Sequence, residues 1–162
     1  MKEKPIKRNE NIVKLSQDHH ASLLFCWKLR QGVKYDASFE TMRKYVHYFW
    51  DHHFSFHFKE EEEFLFAPVL DDQVQKALDD HQKIKIFIGQ INETGAKDKQ
   101  DIFLELADLV DEHVRYEERV LFPHLEKVLS EEQLKNIGSQ ISQVALIDEF
   151  PEQFWIRPKP LS

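Results

Sequence analysis

The chain has 162 residues, 41 % hydrophobic and 31 % charged, which suits one domain with a buried core and excludes wholesale disorder or a collagen-like repeat. Twenty-nine acidic residues against 22 basic ones leave a formal charge of −7, the wrong sign for a protein that neutralises nucleic-acid phosphates. The single cysteine, Cys26, excludes a disulfide framework and any Cys-based zinc or iron–sulfur site. The longest apolar runs, such as Leu23–Leu24–Phe25–Cys26–Trp27, fall far short of a bilayer span. No apolar stretch follows the basic start MKEKPIKRNE, so the expected location is the cytoplasm, without membrane or nucleic-acid partners.

Few glycines and long stretches of Leu, Glu, Lys, Phe and Asp predict helices. The first opens at Ser16 and runs to Arg30, with Gly32 as its stop. The second extends from Ser38 through Glu63 and ends before Pro68. A third runs from Asp71 or Asp72 to about Glu93, with Gly95 just beyond it. The fourth spans Lys99 to Leu129, where Pro123 should bend or break it. Ser130-Glu131-Glu132-Gln133 reads as a capping box for a short fifth helix over 131–142. Short links between four long helices predict an all-α, up-down-up-down four-helix bundle. Residues 1–142 would form this domain, and 143–162 a tail that packs through Phe154, Trp155 and Ile156 or stays flexible.

The predicted core stripes carry an anomaly. Helix two shows Val46, Phe49, His53, His57, Glu61 and Phe64; helix three Val74, Leu78, His81, Ile84, Ile88 and Ile91. Helix four shows Leu106, Val110, His113, Glu117 and Val120. Ionisable residues thus interrupt faces that should be apolar.

Residues 57–66, HFKEEEEFLF, and 113–122, HVRYEERVLF, share His, two Glu, Leu and Phe at a constant offset of 56. Upstream, Asp18-His19-His20-Ala21-Ser22-Leu23 echoes Asp79-Asp80-His81-Gln82-Lys83-Ile84. The chain therefore reads as two helical hairpins, each with a His on its first helix and His-x3-Glu on its second. Residues i and i+4 share a helix face, so His57/Glu61 and His113/Glu117 each aim a nitrogen and a carboxylate inward. Imidazole with carboxylate suits iron, zinc or manganese, and a metal removes the difficulty of burying two carboxylates among Phe and Leu. A lone buried histidine is usually a hydrogen-bonded core residue, and one His-x3-Glu is usually a surface pair. The duplication outweighs both readings. Glu60, Glu62 and Glu63 read as solvated.

At these residues the chain resembles the hemerythrin-like, or HHE cation-binding, family. The motif appears as His20, HFKEEEEFLFAP (57–68), His81 and HVRYEERVLFP (113–123), covering about residues 12–130. The resemblance implies a four-helix bundle around a non-haem di-iron centre, and the doubled motif makes it specific. By that resemblance His20 and His57 would bind one iron and His81 and His113 the other, with Glu61, Glu117 and an oxo group bridging them. His20 is preferred to His19 because the internal alignment sets Leu23 and Ile84 at the same offset. His53, one turn before His57, is expected in a supporting or core role. His47, His52 and His124 are assigned no role.

Oxygen-carrying hemerythrins have a further histidine one turn after the third-helix ligand, where this chain has Lys85, and an Asp where it has Glu117. The pattern is closer to members linked to sensing of oxygen, nitric oxide, iron or redox state. The expected function is therefore a di-iron protein that senses, binds or buffers oxygen, nitric oxide or iron, with a diatomic or peroxide ligand at the metals. A di-iron peroxidase or oxidase, or a metal-free helical interaction module, are the alternatives; neither a homodimer nor a protein partner has support in the sequence.

Overall fold

The computed structural model describes residues 7–93 and 100–158, and among these the chain is helical with no strand. Helix α1 is Val13–Lys34. Helix α2 runs unbroken through Phe39–Phe49, Trp50–Phe54, Ser55–Glu60 and Glu61–Phe66. Helix α3 is Asp72–Glu93, and α4 runs through Asp101–Tyr116, Glu117–Leu121 and Phe122–Val128. The short α5 is Glu131–Gln140. Gly95 and Lys99, expected at the end of the third helix and the start of the fourth, lie outside the described residues.

Local chemistry explains the helix ends. Ser38 Oγ accepts a hydrogen bond from Thr41 N–H at the start of α2, and Ser130 and Gln133 form the expected reciprocal capping box on α5. Gly32, by contrast, does not stop α1. A Cβ there would stand 2.7 Å from Met42 Cε and 2.8 Å from Phe154 Cδ2, so glycine serves close packing inside the helix. The chain turns instead at Asp36, whose φ of 55° suits a short polar side chain, and Ala37 N–H bonds back to the Gly32 carbonyl.

Pro123 does not break α4 either. Its ring would meet the carbonyl of residue 119, but that residue lies in Glu117–Leu121, a turn widened to π geometry. Glu61–Phe66 is widened at the matching place in α2. Each wide turn rotates the following side chains. Leu65, Phe66, Leu121 and Phe122 are buried, whereas Phe64 is only half-buried and Val120 is exposed, one residue away from the expected stripes.

The core is divided in two. One apolar cluster gathers Phe25, Tyr45, Phe49, Phe54, Phe58, Ile84 and Phe103 among others; a second gathers Leu15, Leu65, Phe66, Ala77, Leu121, Phe122 and Leu134. Along α1 and α3 the second cluster comes first and the first follows; along α2 and α4 the order is reversed. That alternation is the up-down-up-down topology. On every helix the switch between clusters falls at a buried polar position, so the four helices together hold a polar layer across the bundle.

The described part of the tail packs on the bundle. Phe150, Phe154 and Trp155 stand around Tyr45, with ring centroids 5.1, 5.1 and 6.1 Å away. Ile156 stays exposed. Among the described residues, no helix is long and apolar enough to cross a membrane.

Candidate metal centre

The polar layer is made by six fully or almost fully buried side chains: His19, His57, Glu61, His81, His113 and Glu117. Glu61 and Glu117 are completely inaccessible and sit at the centre. Glu61 lies 3.3 Å from His57 Nε2, 3.2 Å from His81 Nε2 and 3.7 Å from His19 Nε2. Glu117 lies 3.0 Å from His113 Nε2, 3.1 Å from His19 Nε2 and 3.9 Å from His81 Nε2. Two groups of four result, His19/His57/Glu61/Glu117 and His81/His113/Glu61/Glu117, and both contain both glutamates. Within each group the four candidate ligand atoms lie within 4.8 Å of one another.

The outward nitrogens are all held by carboxylates. His57 Nδ1 meets Asp18 at 3.1 Å and His113 Nδ1 meets Asp80 at 3.2 Å. His19 Nδ1 meets Glu118, and His81 Nδ1 meets Glu62, each at 2.7 Å. Lys14 and Lys76 pair with Asp18 and Asp80 at 3.0 and 2.9 Å, one turn earlier on the same helices. Arg8, almost wholly buried, donates to both the carboxylate and the backbone carbonyl of Glu118 and to Glu126.

The inward atoms contrast with this. His57 Nε2, His81 Nε2, His113 Nε2, both Glu61 oxygens and Glu117 Oε2 are buried without a hydrogen-bond partner. Such a concentration of unsatisfied buried polar atoms is unusual in a protein interior. A donor set of imidazole nitrogens and carboxylate oxygens, oriented from behind by other carboxylates, fits a divalent or trivalent transition-metal cation.

Electrostatics in the metal-free layer follow the same geometry. Burial works against charged imidazoles, but the facing carboxylates outweigh it: His57 and His113 are raised to about 9, and His19 and His81 are also raised. Burial likewise penalises the Glu61 and Glu117 carboxylates, and Glu61 also repels Glu117, yet the histidines hold both groups below the usual carboxylate range. Protons on the imidazoles thus balance the carboxylate charge.

Of the six residues expected from sequence, the structure brings five together: His57, Glu61, His81, His113 and Glu117. His20 is exposed and outside the layer, and His19 occupies the first-helix position instead. The sequence alignment was one residue out of register. It paired Leu23 with Ile84, but Leu23 is on the exposed side while Ile84 is buried. An offset of 62 pairs Cys26 with Ile88 and Leu29 with Ile91, all buried, and superposes KLSQDH (14–19) on KALDDH (76–81). That repeated Lys-x3-Asp-His was the available signal for His19 and also for Lys14, Asp18, Lys76 and Asp80.

Glu62 corrects another expectation, since it holds His81 and is not merely solvated; Glu60 likewise accepts from Ser142 N–H. His53 is buried beside Ser22 Oγ at 3.2 Å, and burial, with the nearby His57 charge, drives it down to about 3. His124 pairs with Asp71 at 2.6 Å, away from the layer. Lys85 is exposed, at the rim of a cavity of about 180 Å³ that borders His81 and Glu62 from outside.

A helical bundle with a buried His/Glu layer able to hold a cation defines a class of metal-binding bundles. The chain belongs to the hemerythrin HHE cation-binding domain family, which it matches over residues 11–125 and again over 74–143. No curated protein and no solved structure matches it significantly.

Proposed function

We propose that the chain holds two iron ions in the polar layer, His19 and His57 on one, His81 and His113 on the other, with Glu61 and Glu117 shared between them. The observation that carries this reading is that both four-residue groups contain both glutamates. Bound iron would supply reversible redox change and a place for oxygen, nitric oxide or peroxide. The chain's own residues orient and shield that place. Asp18, Glu62, Asp80 and Glu118 fix each imidazole with Nε2 inward. Phe58 lies flat on His81 at 3.9 Å and Phe122 stacks on His19 at 5.4 Å, excluding water from either side.

Sensing, binding or buffering a small oxidant, nitric oxide or iron in the cytoplasm is the role this arrangement supports best. A peroxide-reducing enzyme is the second reading. It is favoured by Lys85, which stands exposed at the position where oxygen-carrying hemerythrins have a further histidine. Anaerobic reconstitution with ferrous iron, followed by metal analysis and an optical spectrum before and after air or peroxide, tests the proposal. Two irons per chain with oxo-bridged ferric bands support it, and catalytic peroxide consumption selects the enzyme. A metal-free interaction module predicts no iron uptake and no change of Tm with chelator.

A further inference from the structure

Rings recur at every fourth residue of α2 on the approach to the metal layer: Tyr45, Phe49, His53 and His57. Successive centroids are 6.0, 4.5 and 5.8 Å apart. A second run of rings starts from the same tyrosine. Phe25 stacks on Tyr45 at 5.5 Å, Phe54 follows at 5.2 Å, Phe58 at 5.2 Å, and Phe58 lies on His81 at 3.9 Å. Two ring ladders thus converge on Tyr45, one from each of the two histidine pairs.

Tyr45 itself is completely buried, and its hydroxyl donates to Asp148 Oδ2 at 2.5 Å. Burial, reinforced by the Asp148 charge, pushes the phenol pKa up, so Tyr45 stays protonated and can lose an electron only as its proton leaves. Asp148 is placed to take that proton. Lys28 Nζ bonds the same carboxylate oxygen at 3.0 Å and stands 4.0 Å above the Trp155 ring, where its charge opposes an indole radical cation. The tail therefore supplies both a proton acceptor and a barrier to further migration of the hole.

We propose that Tyr45 is a one-electron relay for the metal centre, coupled to Asp148 as its proton acceptor. This rests on the iron-binding reading above. The oxidant is hydrogen peroxide reduced at the metal site, which takes up two electrons and two protons and leaves as two waters. For each electron, the Tyr45 O–H bond breaks, the proton passes to the Asp148 carboxylate and the electron moves along the rings toward the layer. A diffusible one-electron reductant then returns an electron to the neutral tyrosyl radical, and Asp148 returns its proton. Two such cycles serve one peroxide, with solvent providing the two protons that complete the waters.

The test is electron paramagnetic resonance of the full chain, loaded with iron and frozen after mixing with hydrogen peroxide, with iron content and Tm measured on the same samples. A tyrosyl signal is expected, lost in Tyr45→Phe and strongly reduced in Asp148→Asn, which keeps the phenol but removes the proton acceptor. Trp155→Phe should leave the signal a tyrosyl one. An equal signal in Tyr45→Phe, or no radical in iron-loaded wild type, overturns the relay alone. A chain that takes up no iron overturns the relay and the proposed function together.

Discussion

Asp18 and His57 stand 39 positions apart in sequence and meet in the bundle, carboxylate to Nδ1 at 3.1 Å. Asp80 and His113 repeat the contact at 3.2 Å across the second hairpin. In each hairpin, the residue just before the first histidine thus holds the second histidine from behind. The residue just after each central glutamate does the same for the other hairpin: Glu62 holds His81, and Glu118 holds His19. The two halves are therefore linked by their supporting carboxylates as well as by the shared layer.

These supports should tune metal affinity without forming ligands. Asp18→Asn and Asp80→Asn should each weaken iron binding by about 10–100-fold, the usual effect of removing a carboxylate behind a ligating histidine. Competition with a chelator of known affinity measures it, and unchanged affinity in both variants would contradict the assignment.

The first-helix position separates the two adjacent histidines. His19→Ala should lose at least one of the two ions, whereas His20→Ala, on the exposed side of α1, should retain both. Metal analysis of the two variants after identical reconstitution decides between them.

Acidity should act differently on loaded and metal-free protein. In the metal-free fold His57 and His113 titrate at about 9, against about 6.5 when unfolded. A raised histidine pKa stabilises the fold fully below the unfolded value, and that contribution is lost as pH rises through the folded value. Metal-free protein should therefore lose stability between about pH 6.5 and 9, a decline that iron-loaded protein, with unprotonated ligands, should not share. Denaturant melts across that range measure it. Metal binding near neutrality should also release protons, visible as a buffer-dependent heat in calorimetry.

Two glycines should respond oppositely to alanine. Gly32→Ala forces Met42 and Phe154 to move and should cost about 1–3 kcal/mol by overpacking. Gly89→Ala meets nothing within 4 Å, and should stabilise α3 by up to about 1 kcal/mol through helix propensity. Urea titrations of both variants check the pair.

Much of this architecture is legible in the sequence because the signal is duplicated. The His-x3-Glu-Glu-x2-Leu-Phe repeat marks His57, Glu61, His113 and Glu117 without ambiguity, and helix spacing puts them on one face. The preference for His20 over His19 follows from a short upstream echo in which two histidines adjoin, so that an apolar match at Leu23 outweighs the Lys-x3-Asp-His match one residue away. The wide turns at Glu61 and Glu117 are invisible to a regular helical period, and this is why Phe64 and Val120 were misplaced on the core stripes. Glu62 looked solvated because it lies in a run of four glutamates; only the approach of α3 gives it a partner. Arg8 and Asp148 act through contacts distant in sequence, which no local pattern encodes.

The most direct test of the central claim is iron stoichiometry in the untagged full chain beside its Glu61→Gln/Glu117→Gln variant, both reconstituted with ferrous iron without air. The account predicts two irons per chain in the parent and loss of both in the variant, with helical content retained. Undiminished iron in the variant, or a parent that binds none, would contradict it.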